Sequence, residues 1–224
     1  MIVRFAGLLD GAAIEAISAA LDGAPWEDGK QTATGKTRLV KNNLVVPLDH
    51  QCSKAAGHVL LERLAKHEGF RAAALPKTIL PFRFCRYDVG MGYGSHLDLP
   101  LMPTAGGAMR TDISMTVFLT DPGDYDGGEL VFASEYGEQR LRGSRGEAVL
   151  YPASTFHRVE PVTRGSRLVA VSWIQSMVRD ATNRRILFDL AQVASGLDGD
   201  ESQTQRANLV RKAYYDLMRL WVEQ

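Results

Sequence analysis

His96 and Asp98 are the first residues in the sequence whose types and spacing could do chemistry. They form a His-x-Asp motif directly after the glycine-rich stretch GMGYGS at positions 90–95. Side chains two positions apart on an extended chain point to the same side, so the imidazole and the carboxylate can reach one cation. We therefore predict that His96 and Asp98 bind a divalent metal ion.

His157 is the candidate for a third ligand, because two side chains alone hold a divalent metal poorly. It follows the segment YPASTF at positions 151–156, at the mouth of a later predicted strand. Two histidines and one carboxylate on one face of an iron leave adjacent coordination positions open, as in the non-haem Fe(II) oxygenases. His-x-Asp alone occurs often by chance, so the prediction of a catalytic Fe(II) site depends on this distant histidine and on the predicted strands between.

Arg167 adds a predicted binding site for an anion. It begins the predicted strand RLVAVSW, in which alternate residues from Arg167 to Trp173 share one face. If that face lines the interior of a barrel, the guanidinium is buried, which is costly unless an anion pairs with it. A planar guanidinium matches a carboxylate in bidentate fashion. The distal carboxylate of 2-oxoglutarate fits this site, while its 2-oxo acid end chelates the iron. In the alternative interpretation Arg167 faces solvent, and Leu168 and Ala170 point inward.

The middle of the chain is predicted to consist of strands. After Pro76, short segments rich in β-branched and aromatic residues alternate with clusters of Gly, Pro and Asp. The segments are TILPFRFCRY, DISMTVFLT, GELVF, GEAVLYP and RLVAVSWIQS. No helical pattern interrupts them, which favours an antiparallel barrel or sandwich over βαβ units. The sequence Asp126-Gly127-Gly128 predicts a hairpin turn between two of the segments, with Asp126 and Glu129 facing solvent and the two glycines serving the turn alone.

Helices are predicted on both sides of this region. Leu8–Leu21 has apolar residues at helical spacing, with Asp10 as the N-cap. A second helix is predicted from about Asp49 to His67, with Gly69 as its stop. Its predicted apolar face consists of Ala55, Val59, Leu60 and Leu64. The histidines in or beside it are predicted to be structural or exposed; these are His50, His58 and His67.

Helical patterns return near Asp180 and form two apolar stripes. The first stripe consists of Ile186, Leu190, Val193 and Leu197, and the second of Leu209, Ala213, Leu217 and Leu220. Neither stripe can remain in water along its whole length. We therefore expect both to pack on the barrel or on another subunit, which makes a homo-oligomer possible.

Composition excludes several classes of protein. Lys and Arg number 26, as do Asp and Glu, so the formal net charge is zero; no dominant affinity for nucleic acid or an anionic membrane is expected. Hydrophobic residues make up 45% of the chain, which suits a packed core rather than a disordered chain.

Cys52 and Cys85 are predicted to be reduced thiols. Neither a signal peptide nor a stretch of about 18 apolar residues is seen, and we expect a cytoplasmic protein.

Three segments resemble a known family. The segment RYDVGMGYGSHLD at positions 86–98 is similar to the metal-binding segment of prolyl 4-hydroxylase-like dioxygenases. DYDGGELVF at 124–132 and LYPASTFHRVEPVTRGSRLVAVSWIQSMVRD at 150–180 closely resemble the bacterial PKHD-type hydroxylases. The likeness covers roughly Pro76 to Leu190 and extends to the helical tail.

The resemblance implies a fold, a reaction and a set of cofactors. The fold is mainly β with flanking helices and a double-stranded β-helix (jelly-roll) core. The expected regions are a helical or α+β part at 1–76, the jelly-roll at 77–178 and a helical part at 179–224. The reaction is hydroxylation with Fe(II), 2-oxoglutarate, O₂ and L-ascorbate, releasing succinate and CO₂. Related halogenases carry a small residue in place of Asp98, so its carboxylate favours hydroxylation. The resemblance also suggests a link to bacterial iron uptake.

Two tyrosines and a tryptophan complete the predicted site. By position, Tyr87 could hydrogen-bond the carboxylate of 2-oxoglutarate, while Tyr93 and Trp173 line the substrate pocket. The alternative for both tyrosines is a place in the barrel core with a satisfied hydroxyl group.

Two other functions stay open at this stage. The fold could sense Fe(II) or 2-oxoglutarate without turnover, or it could be a metal-dependent hydrolase or isomerase on a cupin-like barrel, which would not need Arg167. The substrate is a small molecule, for example a siderophore-related one, or a peptide, because fold alone does not identify it.

Overall fold

The computed structural model describes residues 1–199 and 201–223. As the sequence predicts, strands form the middle of the molecule and helices flank them. The helices are α1 (Gly11–Leu21), α2 (Gln51–Lys66), α3 (Glu68–Ala74), α4 (Ala181–Gly196) and α5 (Thr204–Trp221). Short 3-10 helices span Gly29–Thr32, Gly35–Leu39 and Glu201–Gln203.

The strands extend from the start of the chain to the beginning of α4. They are β1 (Val3–Phe5), β2 (Glu27–Asp28), β3 (Lys41–Asn42), β4 (Leu44–Val45), β5 (Pro76–Ile79), β6 (Arg83–Tyr87), β7 (Gly92–His96), β8 (Leu101–Thr104), β9 (Gly107–Arg110), β10 (Ile113–Phe118), β11 (Asp126–Gly127), β12 (Leu130–Ser134), β13 (Gly137–Leu141), β14 (Ala148–Pro152), β15 (His157–Val159), β16 (Val162–Arg164) and β17 (Arg167–Ser176).

Two antiparallel sheets form the core. The larger sheet has the order β1-β14-β10-β17-β6-β4-β2, and β5 also pairs with β17. The smaller sheet has the order β13-β12-β15-β7-β3. Buried residues of both sheets meet between them, among them Tyr87, Phe118, Phe132, Tyr151 and Val169. This arrangement confirms the predicted jelly-roll core with flanking helices.

The predicted hairpin at Asp126-Gly127-Gly128 is wrong. The strands on either side of it, β10 and β12, lie in different sheets, so the segment carries the chain from one sheet to the other. Asp126 and Gly127 instead pair with β16. A Cβ atom on Gly127 would lie 2.2 Å from the carbonyl oxygen of Pro161, so this pairing needs a glycine.

Helices α1 to α3 pack against the larger sheet on the side away from the smaller one. Asp10 caps α1 as predicted, since its carboxylate accepts a hydrogen bond of 2.8 Å from the amide of Ala13. The buried face of α2 contains Ala56, Leu60 and Leu64, whereas the predicted Ala55 is exposed.

The predicted helix stop at Gly69 is also wrong, because Gly69 lies inside α3. The chain turns at His67, whose Nδ1 accepts a hydrogen bond of 3.1 Å from the amide of Phe70 and so caps α3. His50 caps α2 in the same manner, through the amide of Cys52. His58 lies on the surface. The prediction that these three histidines are structural or exposed is confirmed.

The C-terminal helices use faces that overlap only in part with those predicted. In α4 the buried residues include Leu187 and Ala194, while Val193 is exposed. In α5 the predicted Leu209 and Leu220 are exposed. The packing residues of α5 contact the cluster around Leu75, Val178 and Leu187; they are the predicted Leu217, together with Tyr214, Met218 and Trp221. Adjacent apolar residues on α5 offered two overlapping stripes, and tertiary contacts selected one.

Strands of the N-terminal region take part in the core. Strand β1 pairs with β14, β3 with β7, and β4 with β6. The division into regions at 1–76, 77–178 and 179–224 stays a prediction. Both cysteines are free thiols. Among the helices of residues 1–199 and 201–223, none has the length and apolar character that crossing a bilayer demands.

Candidate active site

Strand pairing brings the two predicted histidine ligands together. Although they are far apart in sequence, His157 on β15 lies directly opposite His96 on β7 in the antiparallel register. Their ring centroids are 4.3 Å apart. Asp98 follows the end of β7, and its Oδ2 lies 3.8 Å from Nε2 of His157. One potential ligand atom from each of the three residues lies within 4.8 Å of the other two.

Backbone carbonyl groups fix which nitrogen of each imidazole is free. Nδ1 of His96 lies 2.8 Å from the carbonyl oxygen of Gly94, and Nδ1 of His157 lies 2.9 Å from that of Thr155. A carbonyl oxygen only accepts a hydrogen bond, so Nδ1 carries the proton in both rings. The Nε2 lone pairs are therefore available to a metal. The hydrogen bond at Nδ1 orients each ring, as is usual for metal-binding histidines.

The environment keeps His96 neutral at physiological pH. Its side chain is buried, and this burial, followed by the neighbouring His157, lowers the pKa of His96 to about 4. A metal ligand must be deprotonated, so the site does not have to displace a proton from this ring.

Ser114 holds the carboxylate of Asp98. This buried residue of β10 donates a hydrogen bond from its hydroxyl group to Oδ2 of Asp98. The hydrogen bond restrains the rotamer of the carboxylate, and it does not involve Oδ1. Sequence reasoning missed Ser114, because a serine inside an apolar strand carries no motif.

Arg167 is buried in a cavity that His96, Asp98 and His157 also line. Its side chain is only 1% exposed, and its guanidinium lies 5.2 Å from the ring centre of Tyr87 and 5.5 Å from that of Phe118. Within the described chain, Nε and Nη1 of Arg167 have no hydrogen-bond partner. The solvent-facing alternative is therefore wrong: Arg167 and Trp173 both line the cavity, as does the face of β17 between them.

Gly128 leaves the space that Arg167 occupies. A Cβ atom at this position would lie 2.9 Å from Cδ of Arg167, 3.1 Å from Val162 and 3.2 Å from Tyr125. The φ angle of +66° also favours glycine. The expectation that Gly128 serves a turn alone was incomplete, since it also makes room for the buried guanidinium.

The predicted aromatic residues surround the same cavity. Tyr87 lies opposite Arg167 in the β6–β17 register, and Tyr93 stacks on His96 with ring centroids 3.7 Å apart. Burial raises the pKa of Tyr87 far above its ordinary value and that of Tyr93 to about 12. Both hydroxyl groups thus stay protonated and can donate hydrogen bonds. Tyr151, which sequence reasoning missed, packs edge-on against His157 at 5.0 Å.

The cavity encloses about 330 Å³ between the two sheets. Its walls also include three residues that sequence reasoning did not select, Lys41, Arg83 and Cys85. They lie on β3 and β6, and Lys41 belongs to a strand too short for a periodic pattern. They line the same cavity because β6 pairs with β17 and β3 pairs with β7.

The residues present fit Fe(II) and 2-oxoglutarate. Two imidazole nitrogens and a carboxylate on one side of a space form the donor set of non-haem Fe(II) oxygenases. A buried guanidinium with unpartnered N–H groups facing that space calls for an anion. The two features share the wall of one cavity, as a co-substrate that bridges them requires.

Comparison with known proteins gives the same class. The family model described as 2OG-Fe(II) oxygenase superfamily matches residues 82–175. Among solved structures, a prolyl-4-hydroxylase from Pseudomonas putida aligns with a TM-score of 0.53 at 19% identity, covering 78% of this chain and 92% of that one. HygX from Streptomyces hygroscopicus, with nickel and 2-oxoglutarate bound, aligns with a TM-score of 0.54 at 13% identity, covering 78% and 82%. At these identities the structural likeness shows the fold alone.

Relatives of higher identity narrow the class to a family. A PKHD-type hydroxylase of Synechococcus sp. (strain JA-2-3B'a(2-13)) is 43% identical over 223 residues, which covers 100% of both chains. One of Caulobacter sp. (strain K31) is 43% identical over 206 residues, 91% of both chains. The fold and the matched segment define a 2-oxoglutarate- and Fe(II)-dependent oxygenase. Within that class, the chain belongs to the PKHD-type hydroxylases, and it is a dioxygenase that uses Fe(II) and 2-oxoglutarate.

Proposed function

We propose that His96, Asp98 and His157 hold Fe(II), and that Arg167 binds the distal carboxylate of 2-oxoglutarate, in the hydroxylation of an organic substrate. The observation that carries this proposal is the buried guanidinium of Arg167. It is 1% exposed, and in residues 1–199 and 201–223 two of its nitrogens find no hydrogen-bond acceptor. Such a group is costly in a folded protein unless a ligand anion compensates it.

The polar groups at the metal and co-substrate sites each have a part in this proposal. When bound, Fe(II) and 2-oxoglutarate together supply the activation of O₂, with release of succinate and CO₂. His96 and His157 offer Nε2 lone pairs, and the carboxylate of Asp98, restrained by Ser114, offers a negative charge. Arg167 orients the co-substrate.

Tyr87 is assigned to the co-substrate and Tyr93 and Trp173 to the substrate. The ring of Tyr87 packs beside the guanidinium of Arg167, and its protonated hydroxyl can donate to a carboxylate that Arg167 holds. Tyr93 and Trp173 line the same cavity. Exposed apolar side chains at the cavity wall, Leu97 and Leu99, are available to contact a substrate that extends outwards.

The biological setting is also part of the proposal. Membership of the family is the support for L-ascorbate as reductant and for a link to bacterial iron uptake. The absence of a spanning helix in the described chain is compatible with the proposed cytoplasmic location. The substrate is a small molecule or a peptide.

Exposed apolar residues of α5 support a homo-oligomer; they are Leu209, Tyr215 and Leu220. A single monomeric mass by light scattering at high protein concentration would contradict the homo-oligomer.

Succinate formation tests the catalytic proposal against a sensing module. The full chain, loaded anaerobically with Fe(II) and 2-oxoglutarate, is exposed to O₂, and succinate is measured by mass spectrometry together with a gain of one oxygen in added compounds. We expect succinate from the wild-type chain and almost none from Asp98→Ala. Equal background levels in both would contradict the proposal.

A further inference from the structure

The cavity contains more positive charge than the metal and 2-oxoglutarate explain. Among the described residues that line it, the cationic ones are Lys41, Arg83 and Arg167, whereas Asp98 is the single acidic one. Arg167 and Asp98 are assigned above to the co-substrate and the metal. Lys41 and Arg83 therefore remain without a function.

Arg83 lies at the end of the cavity opposite Arg167. In the β6–β17 register Arg83 pairs with Val171, and Tyr87 pairs with Arg167. Four residues along a strand span about 13 Å, so the two arginines cannot bind the same small carboxylate. The guanidinium of Arg83 lies 6.0 Å from the ring centre of Trp173. Burial lowers the pKa of Arg83, and among the described residues no carboxylate offsets this effect.

Lys41 approaches this end from the smaller sheet. Its side chain is 7% exposed, and its ammonium group lies 5.1 Å from the ring centre of Tyr93, which itself stacks on His96. The ammonium donates a 2.7 Å hydrogen bond to the hydroxyl of Thr32. It makes no salt bridge within residues 1–199 and 201–223. Burial, to which the charge of Arg83 adds, lowers its pKa, as expected for a cation with too little compensation.

The groups gathered here donate hydrogen bonds. Lys41 and Arg83 carry N–H donors and no acceptor, and Trp173 adds an indole Nε1–H. That Nε1 is buried and has no partner in the described chain. A site that presents an ammonium, a guanidinium and an indole N–H is complementary to an oxyanion.

Charge balance leads to the same conclusion. With Fe(II), Asp98 and the three cations, the cavity carries a net charge of about +4, and doubly charged 2-oxoglutarate reduces this to about +2. The charges of Lys41, which is buried, and of Arg83, which is partly buried, remain after both cofactors are counted. An anionic substrate is the simplest source of compensation.

We propose that Lys41, Arg83 and Trp173 form a subsite for an oxyanion of the substrate, a carboxylate or a phosphate, beside the metal site. This inference rests on the proposed function and specifies its substrate class. Because Lys41 reaches the metal site through the stack of Tyr93 on His96, the oxidised carbon lies within a few bonds of the bound oxyanion. We expect neutral analogues of the substrate, and esters of its oxyanion group, to be poor substrates.

Inorganic phosphate and acetate are the probes for this subsite. The full chain is loaded with Mn(II) as a paramagnetic reporter and with saturating 2-oxoglutarate, which occupies Arg167. Relaxation of the ³¹P signal of phosphate and of the ¹³C signal of acetate then measures anion binding near the metal. We expect saturable binding of at least one anion by the wild-type chain, and the tighter of the two identifies the oxyanion.

Matched variants separate the subsite from general surface charge. Arg83→Met and Lys41→Met should each weaken anion binding about tenfold or more, and Arg83→Lys should retain part of it. Exposed basic residues nearby, Arg38 and Lys36, serve as controls, and Arg38→Met and Lys36→Met should change nothing. The 2-oxoglutarate dissociation constant should be the same in all of these variants.

Three outcomes overturn the inference. One is the absence of saturable anion binding, and another is an equal loss in the control variants. The third is a raised 2-oxoglutarate dissociation constant in Arg83→Met, which would assign this cation to the co-substrate. None of these results depends on turnover. A failure of the proposed function, seen as absent succinate, is therefore distinguishable from a failure of the subsite.

Discussion

Replacement of Arg167 by alanine probes the link between the buried guanidinium and the co-substrate. The side chain is 1% exposed and flanked by Tyr87 and Phe118, so a bound carboxylate would be shielded from water with it. Losing one partner of such a desolvated, hydrogen-bonded charge pair costs about 2–5 kcal/mol, or roughly 30-fold to several thousand-fold in affinity. Arg167→Ala should raise the 2-oxoglutarate dissociation constant by this factor while Fe(II) still binds.

The assay is an anaerobic titration of the Fe(II)-loaded chain with 2-oxoglutarate, followed by the metal-to-ligand absorption band. Arg167→Lys should recover only part of the affinity, because an ammonium cannot reproduce the bidentate geometry. Arg164→Ala is the control, since Arg164 is an exposed arginine of the preceding strand that pairs with Asp126. An unchanged constant in Arg167→Ala would refute the reasoning and place the anion site elsewhere.

Three further predictions follow from the packing around the site. Gly128→Ala should raise the 2-oxoglutarate dissociation constant, because the new methyl group would lie 2.9 Å from Cδ of Arg167; the same titration measures it. Ser114→Ala should weaken Fe(II) binding about 10-fold to 100-fold by releasing the carboxylate of Asp98, as measured by competition with a chelator. In the metal-free chain, burial lowers the pKa of His96 to about 4, below about 6.5 in the unfolded state. The unfolded chain then binds more protons in this window, so the free energy of unfolding should decrease from pH 6.5 to 4 and His96→Asn should remove that contribution; urea denaturation measures it.

Each of these predictions has a matched control. Gly106→Ala adds a methyl group in open space and should leave 2-oxoglutarate binding unchanged. Ser172→Ala removes a buried hydroxyl of the same cavity that donates to the carbonyl of Leu80, so Fe(II) affinity should persist. Equal effects in test and control variants, or a pH profile that His96→Asn does not alter, would contradict the corresponding explanation.

The elements of the site that sequence reasoning found have simple physical signatures. His96 and Asp98 lie two positions apart, and the period of two along a strand places Arg167 on the same face as Trp173. The likeness of the segments at 86–98 and 150–180 to known dioxygenases pointed to the same residues. His157 lies opposite His96 because β15 pairs with β7. A sequence suggests this pairing only once a barrel is assumed.

The parts that sequence reasoning missed depend on tertiary contacts. Ser114, Lys41 and Arg83 gain significance from what lies across the cavity, and no local pattern contains that information. The faces of α4 and α5 were only partly correct because apolar residues occupy adjacent positions, so periodicity allows two stripes. At Gly127 and Gly128, the hairpin turn was wrong, and the reason for the two glycines, the close pairing with β16 and the space for Arg167, required the structure.

The most direct test of the central claim is a crystal structure of the full chain grown without oxygen in the presence of Fe(II) and 2-oxoglutarate. We predict iron at about 2 Å from Nε2 of His96, Nε2 of His157 and a carboxylate oxygen of Asp98, with the distal carboxylate of 2-oxoglutarate paired with Arg167. Iron bound away from these three side chains, or a co-substrate that leaves Arg167 without an anion, would contradict the account.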